Sequence, residues 1–313
     1  MNSLKKIPNL DEEINLLELI NVLWSKKILV LGITFAATIF SVGYSLSLPD
    51  IYMSQALLKP TKQEGSSSGA LSQYSGLAGL AGISIPSTSD DKSSEAIERM
   101  NSFEFYKNFI SPSFPSQDLM AIKDWDQKKN TLVYNEKFFN SNSKKWIRDV
   151  SFPKMVSPSH QESFEFYKDT IDISQDEMTK FVNISAKHPS PHLARKLVNL
   201  MIVEINKSMR NEEKYKSQKS LDFLMTQLQK TNYDELKQAI ASLQESQMKA
   251  LMLIESNEDY VFKIIDSPIS PEQKYEPKRL QIVILGLILG FLLGSIFTLA
   301  MYFKKKNISE ATI

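Results

Sequence analysis

Two short motifs in this sequence have the residue types and spacing of a catalytic or a metal site. The first, GSSSG at residues 65–69, matches the G-x-S-x-G pattern that exposes a serine nucleophile on a turn between a strand and a helix. Ser67 would then be the nucleophile of a hydrolase. Because Gly/Ser-rich sequence surrounds the motif, in place of a strand and a helix, we interpret it as a loop.

The second motif is a pair of histidines, His188 and His192, four residues apart as two metal ligands on a helix would be. Pro189 and Pro191 lie between them, and a regular helix cannot run through that sequence. We therefore interpret the pair as a proline-rich helix start. The chain also lacks cysteine and a G-x-x-x-x-G-K-[ST] phosphate loop. We expect no catalytic, cofactor-binding or metal-binding residue, and no enzyme activity.

Composition places the chain in another class of protein. Lys and Arg number 37 against 36 Asp and Glu, so no overall charge directs it to nucleic acid. Residues 28–48 and residues 282–303 carry no charge, and each run exceeds the ~18 apolar residues that mark a transmembrane helix. The first run is also longer than the ~7–15 residues of a signal-peptide core, so we expect an uncleaved anchor.

Two spans place both chain ends on one side of the membrane. Lys26 and Lys27 precede the first span, and residues 304–306 are lysines that follow the second. Positive charge next to a span favours the cytoplasm, although Lys278 and Arg279 on the other side oppose this weakly. We expect a cytoplasmic tail at residues 1–27, an extracytoplasmic loop at residues 49–281 and a second cytoplasmic tail at residues 304–313.

The N-terminal tail and a glycine-rich stretch flank the first span. Leu17 and Trp24 recur at helical spacing after Asp11, a plausible helix cap, so we expect an amphipathic helix. It either leads into the span or binds a partner. Residues 65–82 hold five of the ten glycines, which predicts a flexible excursion from the loop domain. This excursion is either a surface loop or a contact with a neighbouring chain.

The loop predicts a mixed α/β domain dominated by one very long helix. We expect strands at residues 51–59, 164–174, 178–187 and 260–265, and a helix at residues 92–110. Residues 192–258 contain neither Gly nor Pro, and as one helix they would extend about 100 Å. A break near residues 231–234 is an alternative. Such a helix must project into solvent or lie beside copies of itself. The hexapeptide SFEFYK occurs twice, at residues 102–107 and 163–168, which we interpret as coincidence.

A proline-rich segment, residues 268–279, leads into the second span. Pro268, Pro271 and Pro277 favour an extended strut, which Lys278 and Arg279 would end among the lipid headgroups. Within the span, three glycines recur at every fourth position and form a smooth face for another helix. They are Gly286, Gly290 and Gly294.

This arrangement resembles the Wzz family, the polysaccharide co-polymerases or O-antigen chain-length determinants. The family has a P-x-x-P-x-x-x-x-S-P-K motif before its second span, and here Pro268, Pro271, Pro277 and Lys278 match it while Glu276 replaces the serine. The segments DEEINLLELINVLW and EDYVFKIIDSPISPE also look like the family. Residues 60–160 carry little of the resemblance.

The resemblance implies a fold and a function. The fold would be a membrane protein with two transmembrane helices and a periplasmic α/β domain that carries a very long projecting helix. The protein would set the length of lipopolysaccharide O-antigen without catalysing its synthesis. It would form a ring-like homo-oligomer, with an octamer as one option, in the bacterial inner membrane. Its partners would be a Wzy-type polymerase and the lipid-linked polysaccharide.

Two other functions stay open at this point. One is a membrane adaptor that activates a separate cytoplasmic tyrosine kinase in capsule or exopolysaccharide synthesis. The short tail after the second span, at residues 304–313, counts against that function. The other is a periplasmic enzyme, for which Ser67 is the one motif residue.

Overall fold

The computed structural model describes residues 16–61 and 89–310. The chain forms two compact units, one of Met1–Pro49 with Glu276–Ile313 and one of Asp50–Tyr275. The helix cap predicted at Asp11 and the Gly/Ser-rich stretch with its GSSSG motif lie outside the described residues.

Eight α-helices and eight strands are described, with labels in chain order. The helices are α1 (Leu16–Ser25), α2 (Lys27–Ser47), α3 (Ser89–Met100), α4 (Ser116–Met120), α5 (His160–Thr170), α6 (Pro191–Lys230), α7 (Asp234–Ser256) and α8 (Arg279–Glu310). A three-residue helical segment, Phe103–Phe105, runs into a π-helical turn, Tyr106–Ile110. The strands are β1 (Tyr52–Pro60), β2 (Ile122–Asp126), β3 (Thr131–Tyr134), β4 (Phe139–Asn140), β5 (Lys145–Trp146), β6 (Ile171–Gln175), β7 (Val182–His188) and β8 (Phe262–Asp266).

The first unit consists of α1, α2 and α8. Both predicted spans are helical, and α2 and α8 are long and apolar enough to cross a membrane. They run antiparallel, because Ser41 of α2 lies beside Ile282 near the start of α8 while Val30 lies beside Gly294 further along it. A short interruption at Lys26 separates α1 from α2.

The second unit is built on a four-stranded antiparallel sheet in the order β6–β7–β1–β8. Every second residue of β1 is buried, from Tyr52 to Leu58, which is the period of a strand with one face on the core. These residues face buried partners on β7, with Leu58 opposite Val182 and Tyr52 opposite His188. The strands predicted at residues 51–59 and 260–265 are therefore confirmed as β1 and β8.

The N-terminal half of α6 packs against β1 and β7. Its core side chains are almost fully buried and recur at helical spacing: Leu197, Val198, Met201, Ile202 and Ile205. Asn206 continues this face and binds the edge strand with three hydrogen bonds. Its Oδ1 accepts from the N–H groups of Val261 at 2.8 Å and Phe262 at 3.0 Å, and its Nδ2 donates to the Phe262 carbonyl at 3.0 Å.

The single long helix predicted over residues 192–258 is wrong in its continuity, and the break allowed near residues 231–234 is present. Thr231 and Tyr233 have extended backbone, so α6 ends at Lys230 and α7 begins at Asp234. Thr and Asn are poor helix formers, and the acids that open α7 favour a new helix start. An ion pair between Lys214 and Glu255 shows that α7 folds back along α6. At 1.5 Å per residue, α6 alone is still about 60 Å long.

The strand predicted at residues 164–174 is half wrong. Its first part is the helix α5, capped by Ser159, and only Ile171–Gln175 forms a strand. The strand was predicted from the β-branched and aromatic residues of this stretch. A helix can bury Phe164 and Tyr167 in the core equally well, so these residue types do not distinguish the two structures. The region left unassigned at residues 111–160 holds α4 and two small hairpins, β2–β3 and β4–β5.

The two copies of the hexapeptide, whose likeness we interpreted as coincidence, lie against each other in the structure. Both copies lie in helical segments, and matching positions meet. The rings of Phe103 and Phe164 are 5.5 Å apart, and those of Tyr106 and Tyr167 are 5.0 Å apart. The lysine that ends each copy lies over the first phenylalanine of its own copy. The flanking sequences show no longer period, so the repeat is confined to this contact.

Candidate functional site

The glycines of the second span form the close contact between α8 and α2. A Cβ atom added at Gly286 would lie 2.4 Å from the Ser41 Cβ, and one added at Gly290 would lie 2.7 Å from the Ala37 Cβ. At Gly294 it would lie 3.1 Å from the Val30 carbonyl oxygen. Glycine therefore permits this backbone approach at three successive turns, and Gly32 and Gly43 of α2 have no such neighbour.

The α2 side of this contact was missed in the sequence. Thr34, Ala37 and Ser41 face the glycines, and they are small residues at spacings of three and four. Ser41 Oγ donates across the pair to the Ile282 carbonyl at 2.8 Å, while Thr34 Oγ1 bonds back to Val30 within α2. Each hydroxyl thus finds an acceptor without water, as an apolar environment requires. The signal that could have indicated this face is the helical spacing of the small residues in α2, which lie among larger apolar ones.

The cationic end of the first unit carries an aromatic residue beside lysine. Trp24 at the end of α1 is 73% exposed, and the Lys27 ammonium lies 5.6 Å from its ring centre. The Lys26 N–H bonds to the Val22 carbonyl, which links the two helices across their interruption. An exposed Trp with adjacent lysines is the composition of a membrane–water interface.

The proline-rich segment, predicted as an extended strut, is attached to the α/β unit along its first half. Pro268 is buried and Pro271 is half-buried. The segment continues from β8 along the first residues of β1: Ser54 Oγ donates to the Ile269 carbonyl at 2.7 Å, and the Tyr275 N–H donates to the Ile51 carbonyl at 2.8 Å.

Proline chemistry explains why this segment accompanies β1 without joining the sheet. Pro268 and Pro271 have no N–H, so the backbone cannot extend the β1–β8 ladder beyond Asp266. A side-chain donor, Ser54, and one backbone bond replace the ladder. The result is an extended segment with fixed attachment points.

The remaining motif residues open the second span. Pro277 and Lys278 directly precede α8, and Arg279 is its first residue. The Lys278 carbonyl accepts the first hydrogen bonds of the helix, from the N–H groups of Gln281 at 2.9 Å and Ile282 at 3.3 Å, and the Pro277 carbonyl accepts from the Arg279 N–H in a tight turn just before it. The motif thus divides between the two units, its first two prolines in one and the rest in the other.

The two histidines have separate positions, and the interpretation of this sequence as a helix start is confirmed because α6 begins at Pro191. His188 ends β7 and is 3% exposed, with Nδ1 accepting from the Ser190 N–H and Nε2 donating to the Asp118 carbonyl. That pairing requires a neutral imidazole, and burial lowers the pKa of His188 accordingly. His192 lies in the first turn of α6 against the Trp125 ring. In the described ranges, 16–61 and 89–310, no group of three or more His, Asp or Glu side chains could hold a metal ion.

These observations define a class of protein: two apolar helices held together by small residues, with an α/β unit between them in the sequence. Residues 12–112 match the model of the Wzz family, described as chain length determinant protein. Residues 12–112 are thus similar to a chain length determinant domain, and the resemblance to the Wzz family predicted from the motifs is confirmed. The predicted fold class, a two-span membrane protein with an α/β unit and a long helix, is confirmed as well.

Individual relatives extend this picture. A tyrosine-protein kinase, ptk, of Acinetobacter johnsonii is 28% identical over 127 residues, which is 41% of this chain and 17% of the kinase. The chain thus spans about a sixth of the length of that relative. Among solved structures, a full-length bacterial polysaccharide co-polymerase gives a TM-score of 0.41 at 14% identity and covers 93% of this chain and 99% of its own. A fragment of WzzB, a polysaccharide co-polymerase from Salmonella Typhimurium, gives 0.30 at 13% identity and covers 73% of this chain and 100% of its own.

Proposed function

We propose that this protein sets the chain length of a surface polysaccharide, with lipopolysaccharide O-antigen as the polymer, and that it does so without catalysing a reaction. The observation that carries the proposal is the Wzz match over residues 12–112, which includes the first span and the start of the α/β unit. In this function the chain positions a separate Wzy-type polymerase and its lipid-linked polysaccharide.

The proposal includes a homo-oligomer. The far half of the α6–α7 hairpin has only a few buried residues, and large apolar side chains on it face solvent. Phe223 is 44% exposed, Met225 51%, Leu236 45% and Tyr233 78%. Neighbouring copies of the hairpin would cover these side chains, which one chain leaves in water.

The proposal also places both chain ends in the cytoplasm and the α/β unit in the periplasm. Lys26 and Lys27 at the start of α2, together with the lysines at residues 304–306, support this orientation. Antiparallel packing of α2 and α8 agrees with this orientation, because it places the start of α2 and the end of α8 on the same side of the membrane.

A strain that lacks the gene, complemented with plasmid copies, tests the function. We expect gels of surface polysaccharide to show a preferred length with the intact protein and an unregulated ladder without it. An unchanged length distribution in the deletion strain would contradict the proposal. A GFP fusion at Ile313 that fluoresces, and an alkaline phosphatase fusion there that is inactive, would support the cytoplasmic chain end.

The kinase-adaptor function is not favoured, because the kinase relative shares only a limited segment with this chain. One variant separates the two functions. Removal of residues 304–313 would abolish polymer synthesis if the cytoplasmic tail activated a kinase. Under the proposed function the polymer continues to be made, with its length still controlled.

A further inference from the structure

The β2–β3 hairpin is an element whose position the proposed function does not explain. Its turn is fixed by its own side chains: Asp126 Oδ1 accepts from the N–H groups of Lys128 at 2.9 Å and Lys129 at 3.2 Å. Asn130 adopts a positive φ of 50°, and its Oδ1 accepts from the Trp125 indole N–H at 3.0 Å. This arrangement leaves the side chains of Lys128 and Lys129 exposed.

The hairpin rests on the first residues of β1. The Trp125 ring meets the Tyr52 ring edge-on, with ring centres 5.6 Å apart, and Gln127 Nε2 donates to the Tyr52 hydroxyl at 2.7 Å. On its other side the Trp125 ring meets His192 at 5.8 Å, and His192 lies within 3.3 Å of Ser270 Oγ in the proline-rich segment. The hairpin thus packs against the two parts of the α/β unit that connect to the spans, the first residues of β1 and the proline-rich segment.

Chain length limits how far this attachment can lie from the membrane. Tyr52 follows Ser47, the last residue of α2, by five residues. At about 3.6 Å per extended residue that connection reaches at most about 18 Å. Tyr275 bonds to Ile51 and precedes the start of α8 by four residues, which reach at most about 14 Å. The headgroup layer itself is about 5–8 Å thick on each side.

The chemistry of this end of the unit suits lipid headgroups. Aromatic rings that combine an apolar body with a polar tip, here the half-buried Trp125 and the exposed Tyr275, are typical of the membrane–water interface. Lys187 lies 5.0 Å from the Tyr275 ring centre, and Lys128 and Lys129 project from the turn. Of the acids on the hairpin, Asp124 accepts from the Trp125 N–H and Asp126 from the turn, while Asp50 lies 3.3 Å from Lys274.

We propose that the β2–β3 hairpin contacts the lipid surface, with Trp125 at the level of the headgroups and Lys128 and Lys129 bound to anionic lipid phosphates. The occupant of this surface is the bilayer that holds the chain's own spans. The contact would hold the α/β unit against the membrane at a third place besides its two chain connections. The proposal depends on insertion of α2 and α8 in a membrane and is independent of the polymer whose length is controlled.

Quenching of tryptophan fluorescence by brominated lipid tests this contact in the full chain. The variant Trp24→Phe with Trp146→Phe leaves Trp125 as the single tryptophan, and it is reconstituted in phosphatidylcholine–phosphatidylglycerol vesicles with bromine near the headgroup end of the acyl chains. Two matched proteins also replace Trp125 by Phe and carry either Phe297→Trp, on the exposed surface of α8, or Tyr233→Trp, at the far end of the α6–α7 hairpin.

We expect strong quenching in the Phe297→Trp protein, intermediate quenching of Trp125 and none in the Tyr233→Trp protein. Quenching of Trp125 no greater than that in the Tyr233→Trp protein would overturn the proposal. If acrylamide and brominated lipid both failed to quench Trp125, a second copy of the chain would cover it, and this too would overturn the proposal. The Phe297→Trp protein reports insertion separately, so failure of the spans is distinguished from failure of the hairpin contact.

The lysines are tested in the same proteins. Lys128→Ser with Lys129→Ser should reduce Trp125 quenching about twofold in vesicles with phosphatidylglycerol and leave it unchanged in pure phosphatidylcholine, because a charge contact with anionic lipid is lost. Equal quenching with and without the lysines in both vesicles would overturn their part in the contact.

Discussion

The two long helix pairs of this protein are held together by opposite means. In the α2–α8 pair the contact consists of glycine and other small residues, and Gly290 brings the backbone of α8 against Ala37 and Thr34. In the α6–α7 pair large side chains hold the base, with Met209, Leu221 and Ile254 buried there.

The difference follows from the solvent of each pair. Lipid is as apolar as a leucine side chain, so helices in a membrane gain from close van der Waals contact and not from the burial of apolar area. In water the burial of large side chains stabilises a pair at about 25 cal/mol per Å². The exposed Tyr233 and Phe223 of the α6–α7 pair are apolar surface that a further contact could still bury, whereas the α2–α8 pair is already in close contact at three glycines.

The largest effect on stability and length control is expected from replacing the glycines at the α2–α8 contact with large side chains. Gly286→Leu with Gly290→Leu keeps the span apolar and places side chains where even a Cβ would lie 2.4 Å and 2.7 Å from α2. The helices must separate or rotate, at a cost of the order of 1–3 kcal/mol for each overpacked site. We expect a lower melting temperature in detergent, normal membrane insertion, and a lost or shifted polysaccharide length distribution on gels.

Gly32→Leu is the control for this change. It adds the same side chain to a span, but at a position where a new Cβ meets nothing within 4 Å. It should leave both the melting temperature and the length distribution as they are. Equal effects of the two variants would show that bulk in the membrane matters and that the α2–α8 contact does not.

The next effect is expected at the base of the water-exposed pair. Asn206→Leu preserves the size of a buried side chain and removes the hydrogen-bond partner of three backbone groups, the Val261 N–H and both groups of Phe262. Each buried group left without a partner costs about 1–3 kcal/mol, so we expect about 3 kcal/mol or more of lost stability. Thermal unfolding of the full chain in detergent measures it, against Asn257→Leu on an exposed position as the control.

Local signals in the sequence predicted the parts of the fold that depend on local chemistry. Long uncharged runs predicted the spans, and the alternation of residue types at residues 51–59 predicted β1. Glycines at every fourth position of α8 indicated a face for another helix, although the sequence could not name the helix that uses it. In the structure the three glycines meet α2 of the same chain.

Features that depend on contacts between distant residues could not be predicted. The sequence of α5 suits a strand as well as a helix, and only the packing of Phe164 and Tyr167 on the first SFEFYK copy decides between them. In the same way, the prolines of residues 268–279 indicated an extended backbone but not its attachment to Ser54, which lies 215 positions from Ile269 in the chain.

A smaller effect on stability, and a clear one on assembly, is expected at the far end of the α6–α7 pair. Phe223→Ser with Leu236→Ser replaces two exposed apolar side chains that the proposed oligomer would cover. Surface changes of this kind alter subunit stability by about 0.5 kcal/mol or less. Native mass measurement in detergent should show smaller assemblies. Met178→Ser, at a side chain that is 94% exposed in the β6–β7 turn, is the control, and equal loss of assembly there would contradict this use of the hairpin.

A small effect on length control is expected from the proline-rich segment, which uses neither close helix packing nor the burial of many large side chains. Pro268→Ala, Pro271→Ala and Pro277→Ala together give the unfolded chain more freedom, which costs about 1 kcal/mol or less at each site. They also place a new N–H at the buried position 268. We expect normal protein levels and a broader polysaccharide length distribution, while Glu276→Ser, toward the family's residue, should change little.

Ser54→Ala decides how these prolines act, because it removes the hydrogen bond to Ile269 and leaves every proline in place. If the attachment of the segment to β1 is what matters, Ser54→Ala should broaden the length distribution as the triple variant does, and the combination should add little. If stiffness of the chain is what matters, Ser54→Ala should have no effect on length. A triple alanine variant with the wild-type distribution at equal protein level would show that neither property of this segment contributes to length control, which would then depend on the two helix pairs.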